Sequence, residues 1–393
     1  MSSLGIVGIG SVLTGDFALP VAEAESIRVE DGRIAAIGGL AETRAADCDT
    51  VVDAAGTTVA PGLIDSHVHV VFGEWTPRQN MTGWIESYLQ GGITSMMSAS
   101  EVHLPGRPRD RAGIKALAIA AQRSFANHRP AGVKVHAGSV ILEPCLEPGD
   151  FADLAAQGVW LAKMGFGAFE RNCDAEPLVA AARAAGFVVM SHTGGVSIPG
   201  SNTLTAEDLI ALGVDIAGHV NGGTTALPDD GLALLIREAH PGMRFQISQA
   251  GNLRSALKVL ALAAEAGRLD RVLVSSDTPT GTGVIPLGVL KSVAELSSLG
   301  GVPPGKVWAM ATGNNAEVLR KNTGMIAPGR EADLVIMDAP SGSAFATAAE
   351  ALAGGDLPGI SAVMIDGKLL AMRSRNTPLA RRLCRVTRSG PGG

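Results

Sequence analysis

Between residues 59 and 324 about eight short β-branched runs alternate with longer Ala- and Leu-rich stretches, and strand-turn-strand texture lies on either side. Together these predict an α/β chain: a (β/α)8 TIM barrel with a small β-sandwich domain formed by both chain ends. A third observation agrees. Only 4% of the residues are aromatic, so the core must be built from Val, Leu, Ile and Ala, as suits helix-covered parallel strands.

Residues 1–58 read as the first part of the sandwich. There "SIRVEDGRIAAIGG" alternates apolar and polar residues across an Asp-Gly turn, and "TVVDAAGTTVAPG" repeats the style. The barrel is expected over 59–324, with strands at "LIDSHVHV", "GITSMMSA", "GVKVHAGSV", "GVWLAKMG", "GFVVMSHT", "GVDIAGHV", "MRFQISQA" and "RVLVSSDT". Stretches such as "AGIKALAIAAQRSFANH" and "EPLVAAARAAG" supply the helices, and a glycine often precedes a strand, where the chain leaving a helix needs positive φ. "GMIAPGREADLVIMD" and "ISAVMIDGKLLA" then restore the strand-turn-strand texture, giving a second sandwich part over 325–375. Residues 376–393 read as a solvated C-terminal tail.

With 46% hydrophobic and 18% charged residues, the 393-residue chain lies well inside the globular range. A net charge of -6 argues against a nucleic-acid partner, which would need clustered excess Lys and Arg. Cys48, Cys145, Cys173 and Cys384 are far apart and form no CxxC pair, so neither a disulfide framework nor a thiolate zinc site is expected. No signal-peptide pattern and no run of 18 charge-free apolar residues is present, so the expectation is a cytoplasmic protein with no membrane partner.

The run "APGLIDSHVHV", residues 60–70, reads as a buried strand that nevertheless carries Asp65, His67 and His69. Side chains alternate along a strand, so both imidazoles share one face with Val68 opposite. Neighbouring imidazoles in a barrel are costly without a partner: a divalent cation is the usual one, and hydrogen-bonded core histidines are the alternative. Further candidates fall at the C-terminal ends of strands, where barrel active sites assemble: His192 ends the fifth, His219 the sixth and Asp277 the eighth. Lys163 is a lone lysine in the apolar fourth strand, and burial lowers a lysine pKa sharply. A neutral buried amine can take up carbon dioxide as a carbamate, becoming a carboxylate-like ligand. His128 and His240 lie in polar loops and carry no functional claim.

The set His67, His69, Lys163, His192, His219 and Asp277, with "APGLIDSHVH" and the closing "GMIAPGREADLVI", resembles the amidohydrolase superfamily, in particular its binuclear members with a carboxylated lysine. The resemblance spans about residues 5–372. It implies two divalent metal ions, one held by His67 and His69, the other by His192 and His219, with carboxylated Lys163 bridging them. Asp277 would be both ligand and proton shuttle. Zinc suits these donors best, and iron or manganese fits the same set. The implied reaction is hydrolysis of an amide C–N bond: a metal-bridging hydroxide attacks the carbonyl and Asp277 passes the proton to the departing nitrogen.

The loop segments "HVHVVFGEWTPRQNMTGWIESYLQGGITSMMSASEVHLPGRPRD" and "GVKVHAGSVILE" are similar to a narrower family, the enamidases. That similarity implies opening of the lactam 6-oxo-1,4,5,6-tetrahydronicotinate to 2-formylglutarate and ammonia. A carboxylated substrate needs a cation, and Arg78 beside Gln79 in "TPRQN" and Arg107 in "LPGRPRD" are candidates; each Arg also reads as a solvated loop charge. His103 follows the second strand and joins the candidate substrate-binding set. His136, in the third strand, reads either as a substrate contact or as a satisfied barrel histidine. Other cyclic amidases (hydantoinase, dihydroorotase), N-acyl amino acid or dipeptide hydrolases, and a ligand-poor scaffold on the same fold are the alternatives. No ligand of the set is missing, which disfavours the scaffold. A mononuclear deaminase has no use for Lys163. Family members are commonly dimers or tetramers, so the resemblance also implies a homo-oligomer.

Overall fold

Asp31 and Gly32 both take positive φ, 48° and 78°, the mirror-image turn whose twist matches a hairpin. Ser26–Glu30 therefore folds back on Arg33–Gly38 in antiparallel register. A computed structural model describes residues 3–70, 83–102, 106–223, 225–279 and 283–388. In it this hairpin belongs to a five-stranded sheet with Ser3–Val7, Thr50–Asp53 and Arg385–Arg388. A six-stranded sheet combines Ser11–Leu13, Val21–Ala22 and Thr58–Pro61 with Leu334–Asp338, Gly359–Ile365 and Lys368–Met372. Both chain ends thus build one sandwich, whose core includes Ile6, Ile27, Val52, Val59, Leu334, Ile336 and Met364.

Two expectations need correcting here. "TVVDAAGTTVAPG" is not a hairpin: Ala55 and Gly56, at φ 54° and 73°, hand the chain from Thr50–Asp53 in one sheet to Thr58–Pro61 in the other. Residues 376–388 are not a frayed tail either. Arg385–Arg388 pairs antiparallel with Thr50–Asp53, Cys384 is buried in the sandwich core, and Arg382 holds the fully buried Asp338 carboxylate at 2.8 Å. Arg385 and Arg388, two of the arginines that suggested a solvated segment, are exposed on this edge strand.

The eight expected barrel strands are present and all parallel: Leu63–Val68, Ile93–Ser98, Lys134–His136 continued by Val140–Ile141, Leu161–Met164, Val188–Ser191, Ile216–Ala217, Arg244–Ser248 and Val272–Ser275. The third strand is interrupted because the amides of Gly138 and Ser139 donate to the Glu101 carboxylate instead of to a neighbouring strand. The ring closes where Val68 bridges Thr278, and His69 N donates to Thr278 O at 3.2 Å. Helices such as Arg111–Asn127, Glu176–Ala184 and Leu253–Glu265 cover the outside with one apolar face each. Among the described residues no helix is long and apolar enough to cross a membrane.

Alternation then carries side chains to the site. Ile64, Met97, Leu161, Val188, Ile216 and Leu273 form an apolar cluster in the barrel. Two residues beyond Leu161 lies Lys163, and four beyond Val188 and Leu273 lie His192 and Asp277, all on the same face by strand periodicity. His219, three residues beyond Ile216, breaks that period and takes φ 35°.

Candidate metal centre

The structure brings all six residues of the expected ligand set together. Nε2 of His67 and Nε2 of His69 lie 3.2 and 3.1 Å from the same oxygen, Oδ1 of Asp277. These three residues form a group that could hold a metal ion. The His67 ring stands 5.3 Å from those of His69 and His219, and the His192 and His219 centroids are 4.7 Å apart. Lys163 is fully buried among them, and its charge presses on His67, His192 and His219.

Hydrogen bonds behind the rings set which nitrogens are bare. Gln246 Nε2 donates to Ser66 Oγ at 2.8 Å, which turns its Oε1 toward His67 Nδ1 at 2.6 Å. His67 must then donate from Nδ1, leaving a lone pair on Nε2, which is buried without a hydrogen-bond partner. His192 donates from Nε2 to the Gly195 carbonyl at 2.7 Å, so its bare Nδ1 faces His219 Nε2 at 3.1 Å. Ser100 Oγ lies 3.3 Å from His69 Nδ1. Burial holds the rings neutral: it lowers His192 to about 4, it takes His219 to about 3 against the pull of Asp277, and it sets His67 well below its ordinary value. Burial likewise takes Lys163 down to about 7 although Asp277 opposes it, and Nζ has no hydrogen-bond partner.

These residues fit a divalent cation. A lone pair on His67 Nε2 facing a carboxylate oxygen at 3.2 Å is two acceptors with no hydrogen between them, and only a cation or a displaced proton relieves that. Nδ1 of His219 and Nζ of Lys163 are further buried polar atoms without partners. Asp277 and His219 also hold positive φ, 56° and 35°, the strain that concentrates at functional positions.

The expected substrate contacts fare differently. Arg78, Gln79 and His103 lie outside the described residues. Arg107 is not a solvated charge: it is buried, paired with Glu143, and donates from Nη2 to the Phe166 carbonyl at 2.7 Å, while its Nε is buried without a hydrogen-bond partner. A guanidinium taken out of water needs a carboxylate, and Glu143 supplies it. His136 does not join the cluster. It lies near the barrel end facing the sandwich, its ring edge-on to Trp160 at 5.8 Å, and the charges acting on it are those of Lys321, Lys134 and Arg129. Lys134, two residues earlier, is bound at that end by Asp333, Glu331 and Asp366. That same lysine occupies the second acidic group, Glu331, Asp333 and Asp366. Sequence reading missed Gln246, Ser100 and the Gly195 carbonyl; the one available signal was a lone Gln in the apolar run "RFQIS".

Comparison with known proteins gives the same direction. Over 387 residues the chain is 48% identical to the enamidase of Eubacterium barkeri, covering 98% of this chain and 100% of that protein. It is 26% identical to an imidazolonepropionase of Salinispora tropica, with 87% and 93% of the two chains covered. The crystal structure of an enamidase superposes with a TM-score of 0.94 at 47% identity, over 98% of this chain and 100% of that one. A β-aspartyl dipeptidase from Fervidobacterium islandicum, 18% identical with a TM-score of 0.63 over 97% and 98% of the chains, shares the fold. The model of the amidohydrolase family matches residues 58–370, the span that carries every one of the converging side chains, and the chain belongs to that family.

Proposed function

We propose that this chain is a metal-dependent enamidase, hydrolysing the lactam C–N bond of 6-oxo-1,4,5,6-tetrahydronicotinate to give 2-formylglutarate and ammonia. One observation carries the reading: six side chains from five barrel strands converge with buried, unpartnered polar atoms among them, in a chain 48% identical to an enamidase over nearly its full length. His67, His69 and Asp277 would hold one divalent ion, His192 and His219 a second, and Lys163 as its carbamate would join them. Zinc suits the donors best, with iron or manganese as the other candidates. When bound, such ions polarise a carbonyl and acidify water.

The chain's own residues do the rest. The Asp277 side chain, 18% exposed against 1% for His67 and 5% for His69, is the open edge of its trio. It takes the proton of the attacking water and delivers it to the ring nitrogen as the C–N bond breaks. Gln246 and the Gly195 carbonyl hold the His67 and His192 tautomers throughout. The released enamine tautomerises, and a second water displaces ammonia and leaves the aldehyde.

The test is ammonia release from 6-oxo-1,4,5,6-tetrahydronicotinate by metal-loaded protein, run beside hydantoin, dihydroorotate and dipeptides. Turnover of one of the others with none of the tetrahydronicotinate overturns the substrate assignment.

A further inference from the structure

The Arg107–Glu143 pair is a buried ion pair outside the histidine cluster. Both side chains are 2% exposed, so the pair must be held by further hydrogen bonds to be tolerable. Those bonds go to one place. Arg107 Nη2 donates to the Phe166 carbonyl at 2.7 Å, and Glu143 Oε2 accepts from the Ala168 amide at 2.8 Å. Arg107 stands in the loop after the second barrel strand and Glu143 just after the third, and together they grip the loop after the fourth.

Phe166 is the residue so gripped. Its ring packs with Ile141 and Ile198, lies 5.4 Å from Lys163 Nζ, and lies 5.6 Å from the His192 ring at a 40° tilt. The ring therefore stands beside both side chains. One ion pair thus holds the backbone just C-terminal to the ring, from the Phe166 carbonyl to the Ala168 amide.

We propose that Arg107 and Glu143 are positioning residues: they press Phe166 onto Lys163 and His192 and so hold these two side chains ready for metal. The inference rests on the metal-site reading above. It assigns Arg107 to the metal centre's support and not to a substrate carboxylate.

The zinc-reconstituted protein and its Arg107→Lys, Glu143→Gln and Phe166→Leu variants are challenged with excess chromogenic chelator, and zinc release is followed alongside kcat and KM. Each single variant should release zinc about 10-fold faster or more, the usual cost of disturbing a group behind a metal ligand. The Arg107→Lys/Phe166→Leu double variant should release it no faster than the quicker single, because both act through one ring. Effects that multiply in the double variant overturn the proposal. So does an Arg107→Lys protein with wild-type zinc release and a raised KM, the pattern of a substrate contact. Should Arg107→Lys not fold, Phe166→Leu leaves the ion pair intact, and wild-type zinc release by that variant overturns the proposal alone. A wild-type protein that binds no zinc, iron or manganese fails earlier and differently: it removes the metal-site reading itself.

Discussion

Replacing Gln246 by Leu tests whether the site depends on the tautomer of His67. Both residues are buried, at 0% and 1% exposure, and the contact between Oε1 and Nδ1 is 2.6 Å. Leu is close to Gln in volume, so little space opens, but the acceptor is gone. The Nδ1 hydrogen is then buried without a partner, at about 1–3 kcal/mol. His67 can avoid that only by moving the proton to Nε2, the atom that faces Asp277 Oδ1 at 3.2 Å, and so losing its lone pair for metal. The first route lowers folding stability without changing affinity, whereas the second makes metal binding reverse the tautomer at up to about 1–3 kcal/mol, or roughly 5- to 150-fold in affinity. Titrating apoprotein with zinc against an indicator of known affinity reads this directly. Gln246→Glu keeps an acceptor and should bind as tightly as wild type or more so. A Gln246→Leu protein that titrates like wild type refutes the argument that the bond to Gln246 selects the ligating tautomer.

Asp277→Asn, assayed at saturating metal, should lower kcat by roughly 10²–10⁴-fold, the usual contribution of a positioned acid–base group; an unchanged kcat would remove Asp277 from proton transfer. Arg382→Ala leaves the fully buried Asp338 carboxylate only the backbone amide of residue 382 and should cost about 1–3 kcal/mol in urea unfolding, whereas no cost would mean that this ion pair does not stabilise the sandwich. Burial pushes the Asp150 carboxyl up, but its bonds to Lys115, the Glu147 amide and Arg111 outweigh that and hold it below the ordinary value. Its stabilising effect is therefore present above the unfolded carboxyl range, about pH 4, and is lost as pH falls through the lower folded value. Asp150→Asn should shift the urea midpoint at pH 7 and progressively less toward pH 3; an equal shift at both contradicts the assignment.

The parts of this molecule that obey a local period were legible in the sequence. The eight strands, the His67/His69 face and the placing of Lys163, His192 and Asp277 at strand ends all follow from alternation and from the order of runs. What depended on distant partners was not legible. Arg107 and Glu143 are 36 positions apart, and nothing local says that one will neutralise the other. His136 shares a face with Lys134, as alternation requires, but alternation does not say at which height along the barrel the pair will sit. The strand at Arg385–Arg388 was hidden because an edge strand that half-buries only Val386 can carry as much arginine as a disordered tail.

The two ends of the barrel divide the work between stability and chemistry. At the end facing the sandwich, Lys134 meets Asp333 at 2.8 Å, Glu331 at 2.7 Å and Asp366 at 2.6 Å, and Trp308 Nε1 donates to the Pro61 carbonyl at 3.0 Å. There Asn315 Nδ2 spans the carbonyls of Ile64 and Val274, both at 3.0 Å, which pins the first strand to the eighth below the site. At the opposite end the same two strands deliver His67 and Asp277, acceptor facing acceptor, with Asp277 at φ 56°. Strain of that kind costs about 1–3 kcal/mol per residue and persists only where the surroundings over-determine it. The ties at the sandwich end provide that rigidity. The sandwich built from the chain ends thus anchors the strands that carry the candidate ligands, although none of its described residues reaches the cluster.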